Sequence, residues 1–343
     1  MKLDGTHQRS IRRTSDGKGV CILDQRELPW TVKWVELRHA HDAEVAIREM
    51  WTRGAPLIGA TAAYGLAMAL AEDGSDAALD RAHAQLLAAR PTAVNLKWAL
   101  DTVLATVRPL PAAERGAAAF ARADAICDED VALNQAIGAH GLALFRDLHA
   151  KNPDRALNVL THCNAGWLAT VDYGTATAPI YLAHDAGIPV HVWVDETRPR
   201  NQGALLTAFE LAGHGVPHTV IADNAGGHLM MTGQVDAVIV GTDRVTANGD
   251  VCNKIGTYLK ALAAKDNGVP FYVALPYTTF DAATATGADI PIEERSGAEV
   301  THVSGEGGSI RVTASNAANP AFDVTPARLV TGYLTERGLL ASI

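Results

Sequence analysis

The chain has 343 residues, of which 48% are hydrophobic and 20% charged, with a formal net charge of −9. That length allows two domains and a sizeable core, and the composition is that of an ordinary globular protein. An acidic balance without a long basic run excludes nucleic acid as a primary partner, and the absence of 18 consecutive apolar residues excludes an expected transmembrane helix.

The first residues, MKLDGTHQRSIRRTSDG, lack the apolar stretch of a secretory signal. Cys21, Cys127, Cys163 and Cys252 show no CxxC spacing, so neither a zinc ribbon nor a redox pair is suggested. Cytoplasmic residence with reduced thiols is the simplest expectation. There is no internal repeat.

Residues 20–40 read as two short strands joined near Leu28-Pro29, and His41 to Met50 as a helix with Asp42 at its N-cap. Next comes Arg53-Gly54-Ala55-Pro56, followed by an Ala-rich run. A helix starting at about Ala55 would present backbone N–H groups beside Arg53, with Gly54 permitting close approach. The pattern fits a phosphate site or, alternatively, a tight turn before a buried helix. Ala78 to Ala89 is helical and ends at Arg90-Pro91; Thr92 to Trp98 leads into another helix, and Ala112 to Ala150 forms one long helix or two. Arg90 stands in a loop at a helix end, either solvated or reaching a ligand.

From Ala156 onward apolar runs alternate with helical segments. The strands are Leu157–Thr161, Val190–Val194, His218–Ile221, Val235–Val240 and Phe271–Leu275; helices cover 175–185, 202–214, 226–232 and 255–264. Such alternation is the signature of a parallel, doubly wound sheet. The expected class is α/β: a Rossmann-like parallel-sheet domain over 131–343, after a smaller, mainly helical domain over 1–130 with a few short strands. A helix is expected to start at Asn253-Lys254, and the closing residues 319–338 read as loop, short strand and terminal helix.

Each expected strand is followed by a polar, Gly-flanked cluster: His162-Cys163-Asn164, Asp195 to Gly203, Asp223 to His228, Thr242-Asp243-Arg244, and Pro276 to Asp281. In a parallel sheet these ends share one edge, where ligands bind. Cys163 is either an inert buried thiol or one activated near a helix N-terminus. Asp223 and His228 can simply cap a helix, and neighbouring Asp and Arg residues can pair structurally. No HExxH, GxGxxG, GxSxG or GxxxxGK[ST] appears, so a catalytic metal, a nicotinamide and a P-loop nucleotide lack support.

Several motifs occur together and in order: RGAPLIGATAAYG at 53–65, THCNAG at 161–166, ETRPRNQG at 196–203, DNAGGHLM at 223–230, VGTDRVTANGDVCNKIGT at 240–257 and NPAFDVTP at 319–326. Together they resemble the methylthioribose-1-phosphate isomerases of methionine salvage. Those enzymes share a wider family with the α, β and δ subunits of the initiation-factor nucleotide exchange factor and with archaeal ribose-1,5-bisphosphate isomerase. The resemblance implies a catalytic acid at Asp243 and a catalytic cysteine at Cys163. It implies substrate-phosphate binding at Arg53, Gly54 and Ala55, further substrate contacts at Arg90, Gln202, Asn253 and Lys254, no cofactor, and a homodimer. Asp243 would protonate the ring oxygen of an aldose 1-phosphate, which requires a desolvated carboxyl. Cys163 would serve the hydrogen transfer from C2 to C1. Competing expectations are an isomerase of 5-deoxyribose 1-phosphate or ribose 1,5-bisphosphate, and a non-catalytic regulatory subunit. An apolar pocket from Trp30, Trp34, Met50 and Trp51 would favour the methylthio group over a second phosphate, although core packing is the commoner role of such residues.

Overall fold

The computed structural model describes residues 1–3, 5–90 and 94–343. The chain forms two compact units, one made of Met1, Thr6–Asn134 and Trp167–Gly174, the other of Lys2–Gly5, Gln135–Gly166 and Thr175–Ile343.

In the first unit the strands Ile11–Arg13, Val20–Leu23 and Trp34–Leu37 form an antiparallel sheet in which Ile22 faces Ile11 on one side and Val35 on the other. Four helices follow: α1 (Ala40–Arg48), α2 (Ala55–Glu72), α3 (Asp76–Ala89) and α4 (Val94–Val107). Pro91, Thr92 and Ala93, expected from the sequence to lead into α4, lie outside the described residues. Helix α2 packs against α1, α3 and α4. This explains why it carries no polar stripe: Leu57, Ile58, Ala62, Ala63, Leu66 and Leu70 are all buried around its circumference. Its length and apolarity would suit a membrane span, but most of it is buried in this unit's core.

Asp42 is not the N-cap of α1. His39 holds that position, and Asp42, three residues on, turns back to accept the N–H groups of Arg38 and His39 at 2.8 and 2.9 Å. An acid in the first turn does this readily because its carboxylate also meets the positive end of the helix. The Ala-rich segment is one helix, α5 (Ala112–His149), contributing to both units.

The second unit is built on a seven-stranded sheet. Its order is Gly338–Leu340, Gly332–Thr335, Phe271–Ala274, Ala237–Val240, Leu157–Thr161, Val190–Asp195 and His218–Ile221. All neighbours are parallel except the edge pair of Gly332–Thr335 with Gly338–Leu340. Numbering the parallel strands along the chain gives the order 3-2-1-4-5-6, the doubly wound Rossmann arrangement. The connecting helices include α6 (Ala178–Asp185), α7 (Ala208–His214), α8 (Ala225–Met231) and α9 (Thr257–Asp266), with a π-helical turn at Gly203–Thr207 before α7.

Two expectations fail here. Asn253 and Lys254 do not begin a helix; they end the strand Val251–Lys254, and α9 starts at Thr257. The turn at Asn248-Gly249-Asp250 folds this strand back on Arg244–Thr246, and its other edge pairs with Phe322–Thr325. The chain's end is not helical either. Gly332–Thr335 is a fully buried strand beside Phe271–Ala274, and a hairpin returns through Gly338, whose φ of 120° suits glycine.

Candidate active site

The switch point of a doubly wound sheet is where successive strands leave in opposite directions, and it opens a crevice at their carboxyl ends. Here it lies between Leu157–Thr161 and Ala237–Val240, which pair directly (Val159 with Ala237, Leu160 with Val238). Cys163 follows the first of these strands and Asp243 the second. The two exits run close together: a Cβ added to Gly241 would stand 2.5 Å from the Cβ of Ala165.

Asp243 is half-buried. Its N–H donates to the Cys252 carbonyl at 3.0 Å, and the Thr242 hydroxyl donates to the same oxygen at 2.9 Å. The strand that delivers it, Ala237–Val240, is buried throughout, as are Val245, Val251 and Cys252 beside it. This desolvation pushes the Cys252 thiol up to about 12, with the Asp243 charge adding to the effect. The Arg244 guanidinium lies 3.3 Å from Asp281.

Cys163 is half-buried and forms no disulfide. Its backbone is left-handed, with φ 65°. Gln202 is 7% exposed, and its Oε1 is buried with no hydrogen-bond partner among the described residues. A buried amide oxygen of that kind is suited to receive a donor from a ligand. Asn253 donates from Nδ2 to the Thr257 hydroxyl at 3.0 Å. Lys254 donates to the Ala321 carbonyl at 2.8 Å and lies 4.4 Å from the centre of the Phe322 ring.

Further members of the polar clusters that follow the strands stand behind this edge. His162 is buried with Nδ1 2.9 Å from Asp195 Oδ2 and Nε2 2.8 Å from the Ile255 carbonyl. Among the described residues, His162, Asp195 and Asp223 bring their ligand atoms within 4.8 Å of one another, as metal ligands would. That cluster already holds a cation of its own. Lys260 Nζ lies 3.1 Å from Asp195 Oδ2 and donates to the Asp223 carbonyl. Asp323, opposite Asn253 in the sheet, accepts from the N–H groups of Gly256 and Tyr258 at the head of α9. Burial raises its carboxyl above the ordinary range, against those hydrogen bonds.

In the first unit, Arg53 precedes α2, Gly54 caps it with φ 92° and Ala55 is its first residue. The head of the helix therefore presents backbone N–H groups beside a half-buried guanidinium. Arg90 ends α3 in a non-helical conformation. Of the aromatic residues considered for an apolar pocket, Trp34 lies under the Arg12 guanidinium at 4.4 Å, Trp51 lies under Arg26 at 4.7 Å, and Trp30 is exposed.

A doubly wound unit with a cysteine and an acid at its switch point defines a class of small-molecule site, and the comparisons with known proteins narrow it. The model of the initiation factor 2 subunit family matches residues 51–342, and the chain belongs to that family. Within it, the chain is 63% identical to the methylthioribose-1-phosphate isomerase of Paramagnetospirillum magneticum, over 99% of this chain and 96% of that one. It is 61% identical to the enzyme of the same name from Rhizobium meliloti, with 99% and 96% covered. The crystal structure of 5-methylthioribose 1-phosphate isomerase from Pyrococcus horikoshii superposes with a TM-score of 0.86 at 39% identity, covering 97% and 92%. That of the translation initiation factor eIF-2B delta subunit from A. fulgidus gives 0.82 at 37%, covering 97% and 96%. The resemblance read from the motifs and the α/β fold expectation are both borne out.

Proposed function

We propose that this protein converts 5-methylthioribose 1-phosphate to 5-methylthioribulose 1-phosphate, with Asp243 as the acid and Cys163 at the hydrogen transfer. The observation that carries the reading is the position of these two residues after the two strands that flank the switch point. The similarity to named isomerases at 61–63% identity supplies the substrate class. Phosphate on the anomeric carbon blocks spontaneous opening to a free aldehyde. Protonation of the ring oxygen by Asp243 breaks its bond to C1. The buried apolar strand leading to Asp243 suits a carboxyl that must carry a proton.

Hydrogen then moves from C2 to C1 and the C2 hydroxyl becomes a carbonyl. In one route the Cys163 thiolate takes the C2 proton, and the enol formed is reprotonated at C1. In the other the C2 hydrogen moves as hydride, and the C2 hydroxyl gives up its proton to the Asp243 carboxylate left by the ring-opening step. Both balance without an external oxidant. Arg53, with the backbone at Gly54 and Ala55, is assigned to the phosphate through charge-assisted hydrogen bonds. Arg90, Gln202, Asn253 and Lys254 are assigned to further substrate contacts, and the orphaned Oε1 of Gln202 supports its part. The same resemblance carries a homodimer, which light scattering on the purified protein tests.

The test is product formation from 5-methylthioribose 1-phosphate, 5-deoxyribose 1-phosphate and ribose 1,5-bisphosphate in parallel. Ketose phosphate from the methylthio compound, lost in Cys163→Ala and Asp243→Asn, is the expected result. No turnover of any of the three by folded wild-type protein would refute the isomerase.

A further inference from the structure

Cys163 and Thr197 are both non-glycine residues in the left-handed region, at φ 65° and 63°. For a β-branched threonine this is a true outlier. The two are joined directly: the Cys163 N–H donates to the Thr197 hydroxyl at 2.8 Å, and that hydroxyl donates onward to the Asp195 carbonyl at 3.0 Å. On the other side of the same residue, the Thr207 hydroxyl donates to the Cys163 carbonyl at 2.7 Å. Both backbone polar groups of the cysteine are therefore held by threonine hydroxyls, and both threonines are essentially without solvent exposure.

Each threonine is itself fixed. The N–H groups of Thr197 and Arg198 donate to the two oxygens of Asp223, each at 2.7 Å. Thr207 accepts from Asn164 Nδ2 at 3.2 Å, and that nitrogen also donates to the buried Glu210 at 2.9 Å. The clamp thus joins the exits of three strands. Left-handed backbone at two ordinary residues is strained and persists only where the surroundings over-determine it. A glycine at either position would relieve that strain.

We propose that Thr197 and Thr207 are positioning residues that hold Cys163 in its left-handed conformation and so aim its thiol, an inference that rests on Cys163 being the reacting thiol. The hydroxyls do this by direction, not bulk: Thr197 both accepts and donates, and Thr207 does the same.

The experiment compares Thr197→Val with Thr197→Ser and Thr207→Val with Thr207→Ser. It reads kcat, KM and the pH profile of Cys163 alkylation by iodoacetamide, located by peptide mass spectrometry. The valine variants are expected to lose about tenfold to a hundredfold in kcat with KM within about twofold, because a thiol displaced by a fraction of an ångström still leaves substrate binding intact. Their alkylation profile should shift, and serine should restore both readouts. Valine variants with wild-type kcat and alkylation would overturn the proposal, as would equal losses with serine and valine. Should Thr197→Val not fold, the Thr207 pair carries the same comparison. If wild-type protein turns over no sugar phosphate while alkylation still shifts in the valine variants only, the isomerase reading falls and the clamp stands.

Discussion

Gly54 offers a measurable test of why the head of α2 is built as it is. Its φ is 92°, and a Cβ placed there would lie 2.4 Å from the carbonyl oxygen of Ala169 and 2.5 Å from the Cα and Cβ of that residue. Two of those three atoms belong to the backbone, so nothing can simply rotate away. Gly54→Ala therefore combines two costs: about 1–3 kcal/mol for an L-residue at a positive φ with an extended ψ of 135°, and about 1–3 kcal/mol for crowding a packed interior. Gly17, in the same unit, separates them. It also has positive φ, at 69°, but an added Cβ there meets only the end of the Arg13 side chain, at 3.2 Å, and no backbone of a neighbouring segment. Urea unfolding followed by circular dichroism should place Gly54→Ala about 1–3 kcal/mol below Gly17→Ala. If the two variants unfold alike, contact with Ala169 exerts no cost and the close-approach argument fails. Steady-state kinetics reads the second half of the claim, since a shifted helix head should raise KM for the sugar phosphate. An unchanged KM in a destabilised Gly54→Ala would leave Gly54 a purely structural residue.

Other outcomes follow from buried charge and from the reaction. Asp130 is buried and accepts from the N–H of Val171 and from Asn134; burial raises its carboxyl to about 7, and the nearby Asp172 charge adds to this while Arg9 opposes it. The native state then holds a proton that the unfolded chain has released. Stability attributable to this group should fall as pH rises from about 4 to about 7, by at most about 1.4 kcal/mol per unit. Urea midpoints at pH 5 and pH 7.5 should therefore differ less in Asp130→Asn than in wild type, and an unchanged difference would refute the assignment. Lys260→Met leaves Asp195 without its ammonium and should cost about 3–5 kcal/mol in the same assay; a loss below about 1 kcal/mol would mean that His162 alone balances the carboxylate. Substrate deuterated at C2 separates the two hydrogen-transfer routes. Wash-out into solvent excludes a direct hydride shift, whereas complete retention at C1 of the ketose is the result that the hydride route requires.

The parallel sheet was legible because its interior strands are buried on both faces and so read as unbroken apolar runs, as at Val238-Ile239-Val240. The Val251–Lys254 strand was not. It is four residues long, ends in Asn and Lys, and its longer pairing is with Phe322–Thr325, far along the chain. The buried Gly332–Thr335 strand was missed for a related reason, its register being fixed by Phe271–Ala274. The candidates Cys163 and Asp243 are marked by their motifs and by their positions after strands. Thr197 lay in a cluster that the sequence marked as polar, but nothing local shows that its hydroxyl meets the Cys163 N–H. Lys260 reads as an ordinary helical lysine, and only the fold carries its ammonium to Asp195.

The strand order has a consequence for how the site comes into being. Strands 1 to 3 spread to one side of the switch point and strands 4 to 6 to the other, so Cys163 and Asp243 belong to successive halves of the sheet that meet along a single strand pairing. On the roles proposed for them, each half holds one of the two reacting groups and local folding within a half cannot bring them together. The chain between the halves passes through Met231 to Gln234, which is exposed and includes Gly233 at φ 73°. A backbone cut there would sever no strand. Two fragments, each inert alone, would regain the centre only by docking edge to edge, which makes catalysis itself a reporter of long-range closure.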